Sequence, residues 1–284
     1  MEKIQKEDPS IFTRRQFFRT SGAVIGSAAL ATIMGSQLLE RETHSAEKAT
    51  KEGPMSEPQG VLAIWNDVDP QNEVEYNEWY FQQHILERLG VPGFLTARRY
   101  EAVGPGLKYF TYYMTSSVNI LKSPAYLVRV NNPTDWTRRC MPLFKNMSRS
   151  ACRETINMGR GIGGAATTLE IKAAAGREDD LRQRLASSLF PELLRFPGTT
   201  GVIRALLWEA DPEVTTQKTS EQALRGGKDR VADWVIVLET SSVAEAEKAS
   251  KFLAAYPFTA WGADSVAQPR VYRLMHHLQG PDGR

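Results

Sequence analysis

The sequence predicts an α+β fold made of two tandem β-α-β-β-α-β repeats, and three observations lead to this prediction. The 284 residues are 42% hydrophobic and 24% charged, which is typical of a globular protein with a sizeable core. Strand-type and helix-type hydrophobic patterns follow one another twice in the same order. A shift of 105 positions also places Pro92-Gly93 on Pro197-Gly198 and Arg99 on Arg204.

The first repeat is predicted to occupy residues 60–158. Its elements alternate between period-two segments rich in β-favouring residues and segments with the helical period. In order, we expect a strand over 60–68, an amphipathic helix over 73–89, strands over 94–103 and 108–115, helical stretches over 118–130 and 134–146, and a closing strand over 149–158.

The second repeat is predicted over residues 166–278 and has the same order. We expect a strand over 166–173, a helix over 178–195, strands over 200–209 and 233–239, a helix over 242–254 and a last strand over 270–276. This order is the ferredoxin-like pattern, in which two helices cover one face of a four-stranded antiparallel sheet. The other face of each sheet then needs a cover.

A glycine-rich joint over residues 159–165 is predicted to connect the repeats. Four glycines occur within the six residues 159–164, as expected of a tight connection between two strands. The alternative is a nucleotide-binding loop. The segment lacks the Lys-Ser/Thr pair of a P-loop and the G-x-G-x-x-G register, so the joint is favoured.

The N-terminus predicts export through the twin-arginine machinery. The segment from Thr13 to Arg19 reads T-R-R-Q-F-F-R and precedes a weakly apolar run over residues 21–36, which is shorter than the ~20 residues that span a bilayer. We assign residues 1–45 to the signal region and 46–59 to a linker, and we expect a periplasmic protein. No clear A-x-A cleavage site follows, so membrane anchoring by an uncleaved signal stays open.

Charge and cysteine content exclude two classes of partner. The net charge of +2 gives no basic surface for nucleic acid. Only Cys140 and Cys152 are present, without the histidine and cysteine spacing of a metal site. Two small buried side chains are the commoner outcome for such a pair, and a disulfide is the alternative.

Candidate site residues concentrate in the first repeat. Two facing sheets of this type would enclose a pocket for a small ligand, lined by strand residues and by the helix after the first strand. The second repeat has Leu185 and Leu189 where the first has Tyr80 and His84. We predict that a flat aromatic or hydrophobic ligand contacts Trp65, Asn66, Trp79, Tyr80, Tyr100 and Tyr112.

His84 and Arg99 are the predicted catalytic residues. Histidine titrates near neutral pH and can move a proton without a metal. Arg88, which shares a helix face with His84, or Arg99 could stabilise an enolate, phenolate or carboxylate. Of Arg98 and Arg99, which point to opposite faces of a strand, Arg99 is predicted to face the barrel because Arg204 recurs at its position. The alternatives are a solvating role for His84 and a structural ion pair between Arg99 and Glu87.

The segment from Glu78 to Phe94, E-W-Y-F-Q-Q-H-I-L-E-R-L-G-V-P-G-F, resembles the EthD-like branch of the dimeric α/β-barrel superfamily. In that superfamily a second sheet covers the open face of the first, and a tandem duplication would supply it within one chain. The resemblance implies a pocket more than a reaction, because the superfamily includes cofactor-independent oxygenases, isomerases, decarboxylases and haem-dependent peroxidases.

Three functions are therefore in competition. The preferred hypothesis is an exported, cofactor-independent enzyme of the lyase, isomerase or oxygenase type that acts on a small aromatic or hydrophobic compound, as in aromatic compound catabolism. The alternatives are a haem-binding, peroxidase-like protein with His84 or His276 as axial ligand, and a non-catalytic carrier of a hydrophobic ligand. No metal is expected in any of the three except the haem iron.

Overall fold

The computed structural model describes residues 57–195 and 201–283. The predicted signal region, most of the predicted linker and the second Pro-Gly pair lie outside these residues. Residues 57–284 belong to one unit of the chain. None of the helices in the described ranges is long and apolar enough to cross a membrane.

The first half of the fold has the predicted order of elements. It contains strand β1 (Gly60–Val68), helices α1 (Glu73–Trp79) and α2 (Ile85–Leu89) joined by a π-helical turn (Tyr80–His84), strands β2 (Phe94–Ala102) and β3 (Tyr109–Thr115), helices α3 (Pro124–Asn131) and α4 (Asp135–Cys140), and strand β4 (Phe144–Gly159). Strand β4 begins five residues earlier than predicted, because the helical stretch ends in the 3-10 turn Met141–Leu143.

The second half has the same order with additions that the sequence analysis missed. It contains β5 (Ala165–Ala173), α5 (Glu178–Arg184), a second π-helical turn (Leu185–Leu189), α6 (Phe190–Leu193), β6 (Val202–Ala210), α7 (Pro212–Thr215), α8 (Ser220–Arg225), β7 (Trp234–Thr240), α9 (Val243–Ala255), β8 (Ala263–Val266) and β9 (Arg270–Gln279). The unpredicted elements are α7, α8 and β8. We call residues 211–233, between β6 and β7, the excursion.

Eight of the strands close into an antiparallel barrel. The ring runs β4-β1-β3-β2-β9-β5-β7-β6 and returns to β4, and β8 pairs with β5 beside the ring. The halves join edge to edge, since β2 pairs with β9 and β4 pairs with β6. The prediction of an α+β fold is confirmed, and helices pack on the outside of the barrel.

The alternation of side chains along each strand gives the barrel an inner and an outer core. In β1, Val61, Ala63 and Trp65 point into the barrel, whereas Leu62 and Ile64 point to the helices of the first half. The inner core contains residues of both halves and is rich in aromatic rings. Each half has in addition its own outer core between sheet and helices.

The glycine-rich joint is a packed connection. A Cβ on Gly159, which has φ +90°, would lie 2.2 Å from the carbonyl oxygen of Ile203. The backbone N–H of Gly163 donates to the buried Glu239 carboxylate at 3.1 Å. Close approach of backbones therefore accounts for glycine at these positions.

Candidate functional site

A buried cavity lies between the sheet and the helices of the first half, on the outer side of the barrel. Its volume is about 30 Å³, room for about one water molecule. The sheet, the helix after β1, and the excursion of the second half all contribute to its lining: Leu62, Ile64, Tyr80, His84, Arg88, Tyr113, Tyr126, Met141, Phe144, Met147, Arg149, Glu221 and Arg225. The sequence analysis placed the pocket inside the barrel instead, where the inner core is packed.

His84 is the titratable group of this cavity with the clearest catalytic potential. It ends the π-helical turn Tyr80–His84, and its ring packs 4.4 Å from Trp79 and 5.0 Å from Tyr80 between centroids. Its buried Nδ1 has no hydrogen-bond partner among the residues that the structure describes. Burial, followed by the positive charges of Arg88, Arg225 and Arg99, holds the pKa of His84 well below its usual value. The imidazole is therefore neutral at pH 7 and can accept a proton.

Arg88 lies one helical turn beyond His84 and forms a buried ion pair with Glu221 of the excursion. The Arg88 guanidinium donates from Nη2 to Oε2 of Glu221. Within the described part of the chain, Nη1 of Arg88 and Oε1 of Glu221 have no partner. Burial alone would lower the pKa of Arg88, but the Glu221 carboxylate offsets burial, so the pKa of Arg88 is raised and the side chain stays charged.

Phenol groups and further guanidinium groups complete the cavity. The hydroxyls of Tyr80 and Tyr113 are buried and have no hydrogen-bond partner in residues 57–195 and 201–283. Arg149 donates to the Tyr126 hydroxyl at 3.4 Å, and Arg225 donates to Asp229 at 2.6 Å. Burial raises the pKa of Tyr113 well above its usual value, so its hydroxyl is protonated and can donate a hydrogen bond.

Arg99 faces the helices and not the barrel interior, which corrects the prediction. Its guanidinium stacks 4.3 Å from the ring centroids of both Tyr80 and Tyr109 and donates to Asn77 at 2.6 Å. The alternative ion pair with Glu87 is also wrong, since Glu87 pairs with Arg129 at 3.7 Å. Arg99 does not line the cavity, but its charge lies behind Tyr80 and acts on His84.

Arg98 is the arginine that points into the barrel. It pairs with Glu239, and the same carboxylate accepts from Tyr112 at 2.7 Å. The pairing of strands also makes Arg99 and Leu207 equivalent positions of the two halves. Arg99 pairs with Thr111, the third residue of β3, and Leu207 pairs with Ile236, the third residue of β7. The match of Arg99 to Arg204 was therefore wrong by three residues. Arg204 instead donates to Asn157.

The sheet divides the predicted ligand-binding residues into two groups. Trp65, Tyr100 and Tyr112 lie in the inner core, where Trp65 and Tyr100 both stack on Phe110. Asn66, Trp79 and Tyr80 lie toward the helices with His84; Asn66 accepts from Tyr76 and Trp79 donates to Thr137. Only Tyr80 of the six lines the cavity.

The sequence analysis missed the residues that the excursion and β4 bring to the site. Arg88 shares a helix face with His84, and the helical period had already indicated it, beside Arg99, as a possible anion-stabilising residue. Glu221, Arg225 and Arg149 carry no such signal, because Glu221 and Arg225 are distant in sequence from His84 and belong to an element that was not predicted.

An open cleft of about 440 Å³ adjoins the buried cavity. Phe144, Met147 and Arg225 line both, so they separate the cleft from the cavity. The remaining lining of the cleft is mostly polar and carries several cations: Leu107, Asn146, Gly226, Lys228, Asp229, Arg230 and Arg270.

While the excursion covers Arg88, the space beside His84 holds neither a haem nor an aromatic molecule. Residues from the sheet, the helix and the excursion leave about 30 Å³ beside the imidazole, whereas ligand pockets for molecules of that size measure about 300 Å³ or more. The other proposed ligand, His276, stacks on Phe81 at 4.4 Å between ring centroids. Among the described residues, no three histidine, cysteine or acidic side chains are grouped as metal ligands, and Cys140 and Cys152 are buried free thiols.

Comparison with solved structures decides the fold. An anthrone oxidase-like protein superimposes with a TM-score of 0.54 at 10% identity, covering 81% of this chain and 96% of its own. A candidate monooxygenase from Lactobacillus acidophilus NCFM superimposes with a TM-score of 0.51 at 8% identity, covering 78% and 97%. The chain has the dimeric α/β-barrel fold.

Other comparisons add little to this barrel fold. A candidate chlorite dismutase superimposes with a TM-score of 0.49 at 10% identity, covering 78% of this chain and 96% of its own. No family model matches the chain, and no curated protein matches it.

Proposed function

We propose that the chain is an enzyme that acts, without a cofactor, on a small aromatic or otherwise hydrophobic compound, through proton transfer by His84. The observation that carries the proposal is a neutral, buried imidazole with an unpartnered Nδ1, next to a charged arginine in a cavity lined by phenol groups. A site of this composition suits the formation of an enolate or phenolate.

The proposed chemistry begins when Nδ1 of His84 takes a proton from an acidic C–H or O–H of the substrate. The electron pair of that bond stays on the substrate as an enolate or phenolate, and the guanidinium groups that line the cavity stabilise the negative charge. The resulting imidazolium returns the proton to a different atom in an isomerisation, or to the product carbanion after loss of carbon dioxide. Arg99 is a positioning residue in this scheme, because it holds the Tyr80 ring and does not touch the cavity.

The test is turnover of a panel of phenols, β-keto acids and hydroxybenzoates by the full mature chain, followed by mass spectrometry. We expect His84→Gln to lower kcat/KM by about 100-fold or more, since general base catalysis contributes about that factor. His276→Gln is the matched control, because His276 is a partly buried histidine outside the cavity. Wild-type turnover in His84→Gln would refute the mechanism, and binding without turnover by the wild type would identify a carrier.

We propose further that the barrel is a tandem duplication of a ferredoxin-like repeat, of the EthD-like type. Three features support this. Each half supplies its strands to the ring in the order fourth, first, third, second. Strands β2 and β6 share one burial pattern over nine residues. The π-helical turns Tyr80–His84 and Leu185–Leu189 are 105 positions apart, the shift that the sequence predicted.

Export through the twin-arginine route to the periplasm is likewise proposed, on the motif from Thr13 to Arg19. The test is fractionation of cells that produce the full chain and its Arg14→Lys/Arg15→Lys variant. The wild type should be found in the periplasmic or membrane fraction and the variant in the cytoplasm. Equal distribution of the two proteins would contradict the proposal.

A further inference from the structure

We propose that Arg88 is the carboxylate-binding subsite of this cavity and that Glu221 occupies the subsite when no ligand is bound. The ligand class is then an aromatic carboxylate, whose carboxylate displaces that of Glu221. This inference rests on the proposed function in locating the substrate at His84, but its test uses binding and not turnover.

The first argument is the incomplete pairing of Arg88. A guanidinium binds a carboxylate best through two parallel N–H···O bonds. Glu221 accepts from Nη2 alone, and within the described residues Nη1 of Arg88 and Oε1 of Glu221 are buried without partners. A buried polar atom without a partner costs free energy. A ligand carboxylate that accepts from both nitrogens of Arg88 removes this cost, which the Glu221 carboxylate does not.

The second argument is the charge of the cavity. Arg88, Arg149 and Arg225 contribute three positive charges to the lining, and Glu221 contributes the one carboxylate, which leaves an excess of two positive charges. Asp229 neutralises one of these from the adjoining cleft, where it pairs with Arg225. The phenols of Tyr80 and Tyr113 bring no charge of their own while protonated. An anionic ligand therefore fits the site better than a neutral or cationic one.

The third argument is the way Glu221 is held. It lies on α8, a helix of six residues in the excursion, and α8 ends at Gly226 and Gly227, which both have positive φ. Glycine makes such a backbone adjustable, because neither position carries a Cβ that restricts it. Lys228 of the adjoining cleft would attract an anion toward the site, whereas Arg230 and Arg270 pair with Glu170. An aromatic ligand requires that Glu221 moves away from Arg88, because the cavity measures only about 30 Å³ while Glu221 covers Arg88.

The experiment is calorimetric titration of the full mature chain with benzoate at pH 7, with benzamide as the uncharged probe of the same shape. We expect Glu221→Gln to bind benzoate about tenfold or more tightly than the wild type, because a competing carboxylate is removed. Benzamide affinity should change less than threefold. Glu221→Asp, which keeps the charge on a shorter side chain, should fall between the two.

The matched control is Glu213→Gln, which makes the same charge change at an exposed position of α7 in the same excursion. It should bind benzoate as the wild type does. Arg88→Gln/Glu221→Gln removes both members of the pair and leaves no buried charge from it, and we expect it to fold but to bind benzoate at least tenfold more weakly than Glu221→Gln.

Thermal unfolding gives a second readout. Without ligand, Glu221→Gln should have a lower Tm than the wild type, and benzoate should raise its Tm more than that of the wild type. The proposal is overturned if benzoate affinity is the same in Glu221→Gln and the wild type, or if Arg88→Gln/Glu221→Gln keeps full affinity. Unchanged turnover in His84→Gln would refute the proposed function and would leave this result unaffected.

Discussion

Glu239 and His84 are both buried titratable groups, but they differ in the partners that surround them. Glu239 inside the barrel accepts from Arg98, Tyr112 and the backbone of Gly163, so its charge is compensated on every side. His84 in the outer cavity has no hydrogen-bond partner for Nδ1 among the described residues, and the charges that shift its pKa are those of Arg88, Arg225 and Arg99. The surroundings of Glu239 stabilise a charge and give that residue a structural role. The surroundings of His84 keep its imidazole neutral, as the proposed proton transfer requires.

The lowered pKa of His84 predicts a loss of stability in acid. Above pH 6.5 the imidazole is neutral in both the folded and the unfolded chain and contributes no pH dependence. As the pH falls below 6.5, the unfolded chain binds a proton that folded His84 does not, so the free energy of unfolding decreases. In urea titrations from pH 7.5 to 5, His84→Gln should lose stability less steeply than the wild type.

His276 supplies the comparison for this prediction. Its pKa is lowered by partial burial and by Arg99, but it is far less enclosed than His84. His276→Gln should therefore remove a smaller part of the acid dependence. Equal slopes for His84→Gln and the wild type would show that His84 is protonated in the folded chain.

Removal of Glu239 should be among the most destabilising single changes. Glu239→Ala leaves the Arg98 guanidinium charged and buried, and breaking a buried pair in this way costs about 3–5 kcal/mol. Glu101→Ala is the control, because Glu101 pairs with the largely exposed Arg273 at 2.8 Å and such pairs contribute about 1 kcal/mol or less. Denaturant unfolding measures both, and similar losses would contradict the assignment of Glu239 to the core.

At the scale of elements, the excursion joins the two halves functionally. The corresponding connection between β2 and β3 is short, whereas residues 211–233 carry two helices and reach the outer core of the first half. The side chain of Thr219 accepts from the backbone N–H of Gln222 and caps α8, the helix that carries Glu221. The strength of this cap therefore influences how firmly Glu221 stays paired with Arg88.

Thr219→Ala should loosen the excursion without opening the barrel. Loss of an N-cap hydrogen bond costs about 1 kcal/mol, and a helix as short as α8 has few other backbone hydrogen bonds to keep it folded. Hydrogen exchange of the amides over residues 220–225 should become faster. Ser242→Ala removes the equivalent cap of α9, where Ser242 accepts from Glu245, and should leave exchange at 220–225 unchanged. Unchanged exchange in Thr219→Ala would place the restraint on α8 elsewhere.

At the scale of the molecule, the closed ring makes each half depend on the other. The inner core contains Trp65 and Tyr112 from one half and Leu206 and Trp208 from the other. Either half alone would expose these apolar side chains and two strand edges.

The separate halves, residues 57–162 and 163–284, should therefore be insoluble or self-associated when they are produced alone. Produced together, they should copurify, because the pairing of β2 with β9 and of β4 with β6 restores the ring. Size-exclusion chromatography distinguishes these states. A monomeric, cooperatively unfolding first half would show that its sheet needs no cover.

The sequence predicted the barrel better than the site. Period-two and helical patterns located thirteen segments, each of which overlaps a strand or helix of the structure, because burial on one face leaves that signal in the residues themselves. Arg98 and Arg99 were assigned to the wrong faces of the sheet. The shift of 105 positions that aligns the two helices does not hold for the strands that follow them, so Arg99 is not equivalent to Arg204. Glu221 could not be found at all, since its role depends on a contact with Arg88 across 133 positions of the chain.

Within residues 57–195 and 201–283, the excursion has no counterpart in the first half, where the connection between β2 and β3 is short. The second half has Leu185 and Leu189 at the positions of Tyr80 and His84, and both are fully buried in its own outer core. A symmetric pair of subunits would offer two equivalent pockets, whereas in the described part of this chain the two halves differ at these positions. Titration to saturation should accordingly reach a stoichiometry of one ligand per chain, with a single hyperbolic isotherm and no cooperativity within the monomer.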